Sequence, residues 1–463
     1  MFLYKHAGTR KPGFKIITGI LIYLPWMVAV ATGDLLNPQA AEQIAADPDP
    51  TSKQTAADVQ PEYLTIDAAI AAALRENPGL AEIKARADAM AEIPSQEGTL
   101  PDPMVSFTAM SLPVDSFSTS SEDMTQMQFG ISQMIPFPGK LALRELAAKY
   151  EAEAVAENAG EVRLLLARDV KTIWWRLFNL DKSLNIVARN KELLRQFIEI
   201  TQTKYRVGQG LQQDVLLAQL ELSKLLDMEL SLIGARRSEE ARLNVLMNQS
   251  PDQALTLPRE AVDDLPDLAG EPALYARAEQ SRPLLAGQQE LIQAANTRVD
   301  LARKDYFPDF DVGAAYGLRG GYEPDGMPRS DMASFMVSMN VPIFIERKRN
   351  RAVAQRKAEW MEQNYRLHDL RNMIKAEISM AVADYRRARD QFVLFGTGII
   401  PQARQTVASM LAGYQVNQVD FLNLVNAQIT LYDYEISYWR MLSEAKQALA
   451  RIAAAVGEEN IYE

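Results

Sequence analysis

The run Tyr205-Arg206-Val207-Gly208-Gln209, followed by Asp214 to Gln219, returns in thinned form about 209 residues later. There it reads Tyr414-Gln415-Val416-Asn417-Gln418, followed by Asn423 to Gln428. Tyr205 matches Tyr414, Val207 matches Val416, Gln209 matches Gln418, Asp214 matches Asn423, and Ala218-Gln219 match Ala427-Gln428. So long a period exceeds that of solenoid repeats and implies a domain-sized unit used twice. The chain must then fold as two related halves, and each element read in one half requires a partner in the other.

Those partners are present. Leu64 to Ile70 begins an Ala-rich helix that Asn77-Pro78 interrupts, and Ala273 to Arg277 begins one that Arg282-Pro283 interrupts. Both lead to a Pro-Asp pair, Pro101-Asp102 and Pro308-Asp309, where proline stops or redirects the helix. The period then changes from helical to alternating. Met127, Phe129 and Ile131 alternate with Gln126, Gln128, Gly130 and Ser132, while Phe335, Val337 and Met339 alternate with Ser334, Ser338 and Asn340. Strands are therefore predicted at about 103–112 and 124–136 in the first half, and at about 309–319 and 331–343 in the second. One apolar and one polar face suit a sandwich edge, a hairpin packed on helices, or a transmembrane barrel. Four strands are too few to close a barrel, which takes about eight. A barrel shared by several subunits remains open.

Long helices follow the strands. From Gly139 to about Tyr205 only Gly160 interrupts, and from about Arg347 to Met410 the breakers Gly396, Gly398 and Pro401 all lie near the end. Each stretch would run roughly 100 Å if continuous, a length that needs a coiled-coil or bundle partner. Each returns through the tip motif into a second helix, Gln213 to Met247 and Asp420 to Val456. The halves are thus 63–260 and 261–463, each a helix, a β-hairpin and a long helical hairpin.

The chain has no Cys, and its only histidines are His6 and His368. That excludes disulfides, thiolate metal sites, Cys nucleophiles and nearly all His-based catalysis. No catalytic residue, cofactor or metal site is expected. A net charge of −11 argues against nucleic acid as a partner. Lys5, Arg10, Lys11 and Lys15 precede an apolar run that ends at Ala29-Val30-Ala31, the pattern of a secretory signal peptide over 1–31. Gly19, Pro25 and the shortness of the run oppose an uncleaved anchor helix. Residues 32–62 read as a polar tail or linker, and no Cys follows that could carry a lipid anchor. No other segment suits a spanning helix, so any membrane insertion must use strands.

Two copies of this unit, with the tip motif and an export signal, resemble the outer-membrane efflux (TolC-type) family from about Leu64 to Gly457. The resemblance implies a mixed α and β membrane protein. In that family a homotrimer pools four strands per subunit into one twelve-stranded outer-membrane barrel, while the helices form a periplasmic tunnel. It implies a passive exit duct of a tripartite pump, opened at its periplasmic tip by a membrane-fusion adaptor and driven by an inner-membrane transporter. Ile135-Pro136-Phe137-Pro138-Gly139-Lys140 looks most like the heavy-metal branch, whose pumps are resistance-nodulation-division transporters exporting metal cations; drugs are the other cargo class. A type I protein-secretion duct stays open. A soluble periplasmic coiled-coil scaffold would explain the helices but not the strands. Met104, Met110, Met124, Met127 and Met134 offer thioethers of the kind that bind copper or silver. Met127 shares the apolar face with Phe129 and Ile131, so packing against lipid or core is expected for most of them.

The resemblance also assigns roles at the tips. Tyr414 becomes a latch tyrosine and Asp214 its hydrogen-bond acceptor. The family's ring of acids falls on Asn423 and Asn426, both neutral here, with Asp420 one turn away on a similar face. Asp214 and Asp420 also suit helix N-caps. The adaptor is expected to meet the turns, at Val207, Gly208, Gln209 and Gly210 and at Val416, Asn417 and Gln418. The glycines permit positive backbone angles there.

Overall fold

The computed structural model describes residues 63–261 and 263–460. The expected signal peptide and the 32–62 tail lie outside the described residues.

The first repeat opens with α1 (Ile66–Glu76), α2 (Pro78–Ala91) and α3 (Ile93–Gly98). Thr65 caps α1 by accepting from the Ala68 amide at 3.2 Å. Asn77 ends α1 and caps α2, accepting from the Leu80 amide at 3.1 Å, and Pro78 takes the first helical position where no amide donor is needed. Strands β1 (Met104–Met110) and β2 (Gln126–Ile135) follow, then α4 (Lys140–Arg206) and α5 (Gln212–Leu246). Continuous over 67 residues, α4 spans about 100 Å. The second repeat gives α6 (Glu271–Ser281), α7 (Pro283–Lys304), β3 (Phe310–Leu318) and β4 (Met332–Met339). Its long helix is α8 (Asn350–Leu394) and α9 (Ile400–Gln415), flanked and joined by π turns at Ile345–Arg349 and Phe395–Ile399, and the return helix is α10 (Phe421–Val456). Such π turns take up an inserted residue without ending a helix, which lets Gly396, Gly398 and Pro401 sit inside one rod.

Helix α4 packs against α5, α7 and α10, and α8 packs against α7 and α10, so the two repeats share one bundle. Its core includes Trp174, Trp175 and Phe178, with the Trp174 indole donating to the Leu64 carbonyl at 3.0 Å. At the position matching Asn77, the second repeat has Arg282. Both side chains donate to the end of their own return helix: Asn77 Nδ2 to the Leu246 carbonyl at 2.9 Å, Arg282 Nη1 to the Ala454 carbonyl at 2.5 Å. Arg282 is 5 % exposed and forks onto buried Glu161 at 2.9 and 2.6 Å, linking the repeats.

The strands form one antiparallel sheet ordered β1-β2-β3-β4. Register places Phe107 opposite Phe129, Phe129 opposite Tyr316, Ile131 opposite Ala314, and Ala314 opposite Phe335. One face thus carries only apolar and aromatic residues apart from Gln133, and it is exposed. The opposite face carries Ser106, Thr108, Gln128, Ser132 and Ser334. The methionines divide differently from expectation: Met127 is on the apolar face, but Met104, Met110 and Met134 are on the polar one. There Met110 sulfur accepts from Gln126 Nε2 at 3.4 Å, because a thioether is a weak acceptor that a glutamine can reach along the sheet. The strands are also shorter than predicted. β1 stops where Ser111 turns to φ 54°. β4 stops at Met339 where the Asn340 side chain takes the place of its carbonyl, its Oδ1 accepting from the Asp309 amide at 2.7 Å, before Pro342 removes a donor.

Candidate functional site

At the far end of α4 from the sheet, the two tip motifs lie together. Each turn places one residue in the left-handed region, Gly208 at φ +72° and its match Asn417 at φ +61°. Glycine and asparagine are the residues that tolerate this conformation. Each is followed by the same paired hydrogen bonds. Gly208 N donates to Tyr205 O at 3.0 Å and Gln209 N to Lys204 O at 2.8 Å, while Asn417 N donates to Tyr414 O at 3.2 Å and Gln418 N to Gly413 O at 2.8 Å. Both tips are therefore the same helix-ending motif, which satisfies the terminal carbonyls.

The side chains break the symmetry. A Cβ on Gly210 would lie 2.9 Å from Lys204 Cβ, and one on Gly413 would lie 2.5 Å from Val419 Cγ2. Lys204 matches Gly413 and Gly210 matches Val419, so each turn has room for one bulky member, held on opposite strands of the turn. The Lys204 side chain then reaches the other tip. Its Nζ donates to the Tyr414 carbonyl at 2.9 Å and to Asn417 Oδ1 at 2.7 Å, and it lies 4.1 Å from the Tyr414 ring centre. This ammonium ties the tips together. Its one signal in the sequence is that the repeat aligns a lysine with a glycine.

Tyr414 is 7 % exposed whereas its match Tyr205 is 48 % exposed. The Tyr414 ring packs on Phe421 at 5.4 Å between centroids, and Phe421 meets Phe197 of α4 at 6.0 Å. Deeper in, Gln428 Nε2 donates to the buried Asn190 Oδ1 at 2.7 Å. The Tyr414 hydroxyl is buried with no hydrogen-bond partner among the described residues. The expected Tyr414 to Asp214 hydrogen bond is thus absent within the chain, because the Tyr414 backbone and ring are held by Lys204 and Phe421 instead. Asp214 still acts at a distance: burial and then the Asp214 charge push the Tyr414 phenol up.

Asp214 is half-buried in the first turn of α5 and is not its cap, a position that Leu211 takes. Burial pushes the Asp214 carboxyl up, and the Asp420 charge adds to this; the backbone bond at Leu211 and the Lys204 charge pull the other way. Asp420 does stand at the cap of α10, yet its side chain makes no capping bond. Asp420, Asn423 and Asn426 are all exposed, while Phe421, Leu424, Val425 and Gln428 on the same helix are buried. The acid and the two amides therefore form a polar face directed away from the chain's own core. Val207, Gly208 and Gln209 of one turn, and Val416, Asn417 and Gln418 of the other, are exposed, and Gly210 is half-buried. Of the two histidines, His368 is an exposed residue of α8, and His6 lies outside the described residues.

The outer membrane efflux protein family matches residues 69–249 and 274–458, one segment in each repeat. The cobalt-zinc-cadmium resistance protein CzcC of Cupriavidus metallidurans is 23 % identical over 403 residues, 85 % of this chain and 90 % of that protein. Among solved structures, the outer-membrane channel OprN superposes with a TM-score of 0.72 at 17 % identity, covering 85 % of this chain and 89 % of that one. The outer membrane protein VceC of Vibrio cholerae superposes with a TM-score of 0.71 at 17 % identity, covering 85 % and 96 %.

Proposed function

Because this chain belongs to the outer membrane efflux protein family, we propose that three copies of it form the passive exit duct of a tripartite efflux pump. The observation that supports this most is the sheet, apolar on one whole face but for Gln133 and unpaired along both edges. An exposed apolar face of this size is a lipid or partner surface, and open edges invite pairing. Three copies supply twelve strands, enough to close a barrel with lipid outside and the Ser, Thr and Gln face inside. No described helix is long and apolar enough to cross a membrane, in keeping with insertion by strands.

The tips, a helix length away, are the periplasmic gate on this reading. Lys204 holds the two tips together, Tyr414 packs beneath, and Asp420, Asn423 and Asn426 narrow the entrance. Exposed Val207 and Val416 at the turn apices give a membrane-fusion adaptor an apolar grip, and an inner-membrane transporter of the resistance-nodulation-division type drives transport. The cargo we infer is divalent metal cations, supported by the likeness to CzcC over most of both chains. One acid and two amides per copy at the entrance suit it, because they would bind cations less tightly than a full set of carboxylates would. Deleting the gene is expected to raise sensitivity to cobalt, zinc and cadmium, with restoration by the intact copy. Unchanged metal tolerance alongside new sensitivity to organic solvents or drugs would overturn the cargo assignment.

A further inference from the structure

Where the sheet meets the helices, β2 and β3 are joined by a compact set of contacts. Lys140 Nζ, at the start of α4 and 3 % exposed, donates to Asp309 Oδ1 at 2.9 Å. The same oxygen accepts from the Phe137 amide at 2.8 Å, and the Phe137 ring stacks on Phe307 at 4.4 Å. A common spacing of about 207 residues relates Leu100 to Phe307, Asp102 to Asp309, Phe137 to Phe344 and Lys140 to Arg347. The chain thus holds a second, matching set of these groups. Within the chain that set is split between the two open edges: Leu100 and Asp102 precede β1, and Phe344 and Arg347 follow β4. Phe344 is 67 % exposed and Leu100 is 45 % exposed. Asp102 and Arg347 are exposed as well, and among the described residues neither makes an ion pair or side-chain hydrogen bond.

We propose that Asp102 of one copy accepts from Arg347 and the Phe344 amide of the next copy, with Leu100 packed beneath the Phe344 ring. This rebuilds the internal joint between subunits and sets the register in which β4 pairs with β1 of its neighbour. It rests on the trimeric duct reading. Charge complementarity and the repeat both select a second copy as the occupant. Carrying the internal register Ile131 opposite Ala314 across the alignment of Pro136 with Pro342 places Val337 opposite the neighbour's Phe107, both on the apolar face. The copy is not perfect. Lys140 has a second acid, Asp305, at 3.1 Å, where the other set has Gly98, so the intersubunit joint is the weaker of the two.

The absence of native cysteine allows a direct test on the full chain in outer membranes. After mild oxidation, Phe107→Cys with Val337→Cys is expected to give reducible covalent dimers and trimers, several-fold more than Val105→Cys with Val337→Cys. Asp102→Arg and Arg347→Asp are each expected to lower the temperature at which trimers dissociate in detergent, and the double reversal to restore it. A trimer by native mass that neither crosslinks at this pair nor responds to either reversal overturns the proposed joint while leaving the duct standing. A chain that forms no oligomer in mild detergent overturns the duct reading itself.

Discussion

The two repeats share a backbone and differ in what they do with it. At the tips, Gly208 and Asn417 make the same left-handed turn, yet Tyr205 is left outside and Tyr414 is buried. At the helix break, Asn77 makes neutral hydrogen bonds to its own half, whereas Arg282 carries a charge into the core and binds the other half through Glu161. Duplication supplied two equal frames. Single substitutions at matched positions broke the symmetry in opposite directions: Lys204 of the first repeat holds the second at the tips, and Arg282 of the second holds the first at the helix break.

Arg282 gives the largest way to break that asymmetry. Arg282→Ala leaves Glu161 buried without its partner and is expected to destabilise the protein by about 3–5 kcal/mol. Asn77→Ala should cost only about 1 kcal/mol, the loss of one cap. Equal shifts of the two variants in denaturation midpoints would erase the contrast. Replacing both Arg282 and Glu161 with apolar residues should recover most of the loss.

Lys204 comes next. Lys204→Met removes charged hydrogen bonds to Tyr414 and Asn417, worth about 1.5–3 kcal/mol locally, so amide exchange at the second tip should accelerate. Tyr414→Phe removes an unpartnered hydroxyl and should leave that exchange unchanged or slower. Acceleration by Tyr414→Phe instead would restore the tyrosine latch.

Smaller still is the turn residue. Gly208→Ala forces a Cβ into the left-handed region at about 1–2 kcal/mol, while Asn417→Gly removes the acceptor that Lys204 uses but relaxes the backbone. The first is expected to lower the stability of its own tip alone, and the second to loosen the link between tips.

The slightest effect is that of pH. The Asp214 carboxyl is raised by burial and by Asp420, so the packed tip holds that proton more tightly than the open chain does. Its contribution is fully present below the ordinary aspartate value and is lost as pH rises through the raised one. Acidification should therefore steady the tip, and Asp214→Asn should flatten the dependence.

Much of this architecture was legible in the chain. Pro78, Pro101, Pro283 and Pro308 punctuate the helices, alternation marks the strands, and the tip repeat fixes the two-hairpin order. These signals are local, because a turn or a period is written in neighbouring residues. The site was less legible. Asp214, Asp420, Asn423 and Asn426 were found at the tips, but the contact that ties the tips is made by Lys204 across a sequence separation of 210 residues. Which side of a strand a methionine occupies depends on register, and flexible thioethers fit either face, so Met104, Met110 and Met134 were misplaced. The π turn at Ile345 left no distinct residue signature, and Gly396 and Gly398 marked the one at Phe395 only as a break near the end of the helix.

The claim that the two tips close one entrance, with Lys204 as the tie, is tested most directly by single-channel conductance in planar bilayers. Wild-type protein should open rarely and conduct little, Lys204→Met should conduct several-fold more, and Tyr414→Phe should match wild type. Equal conductance of Lys204→Met and wild type would contradict it.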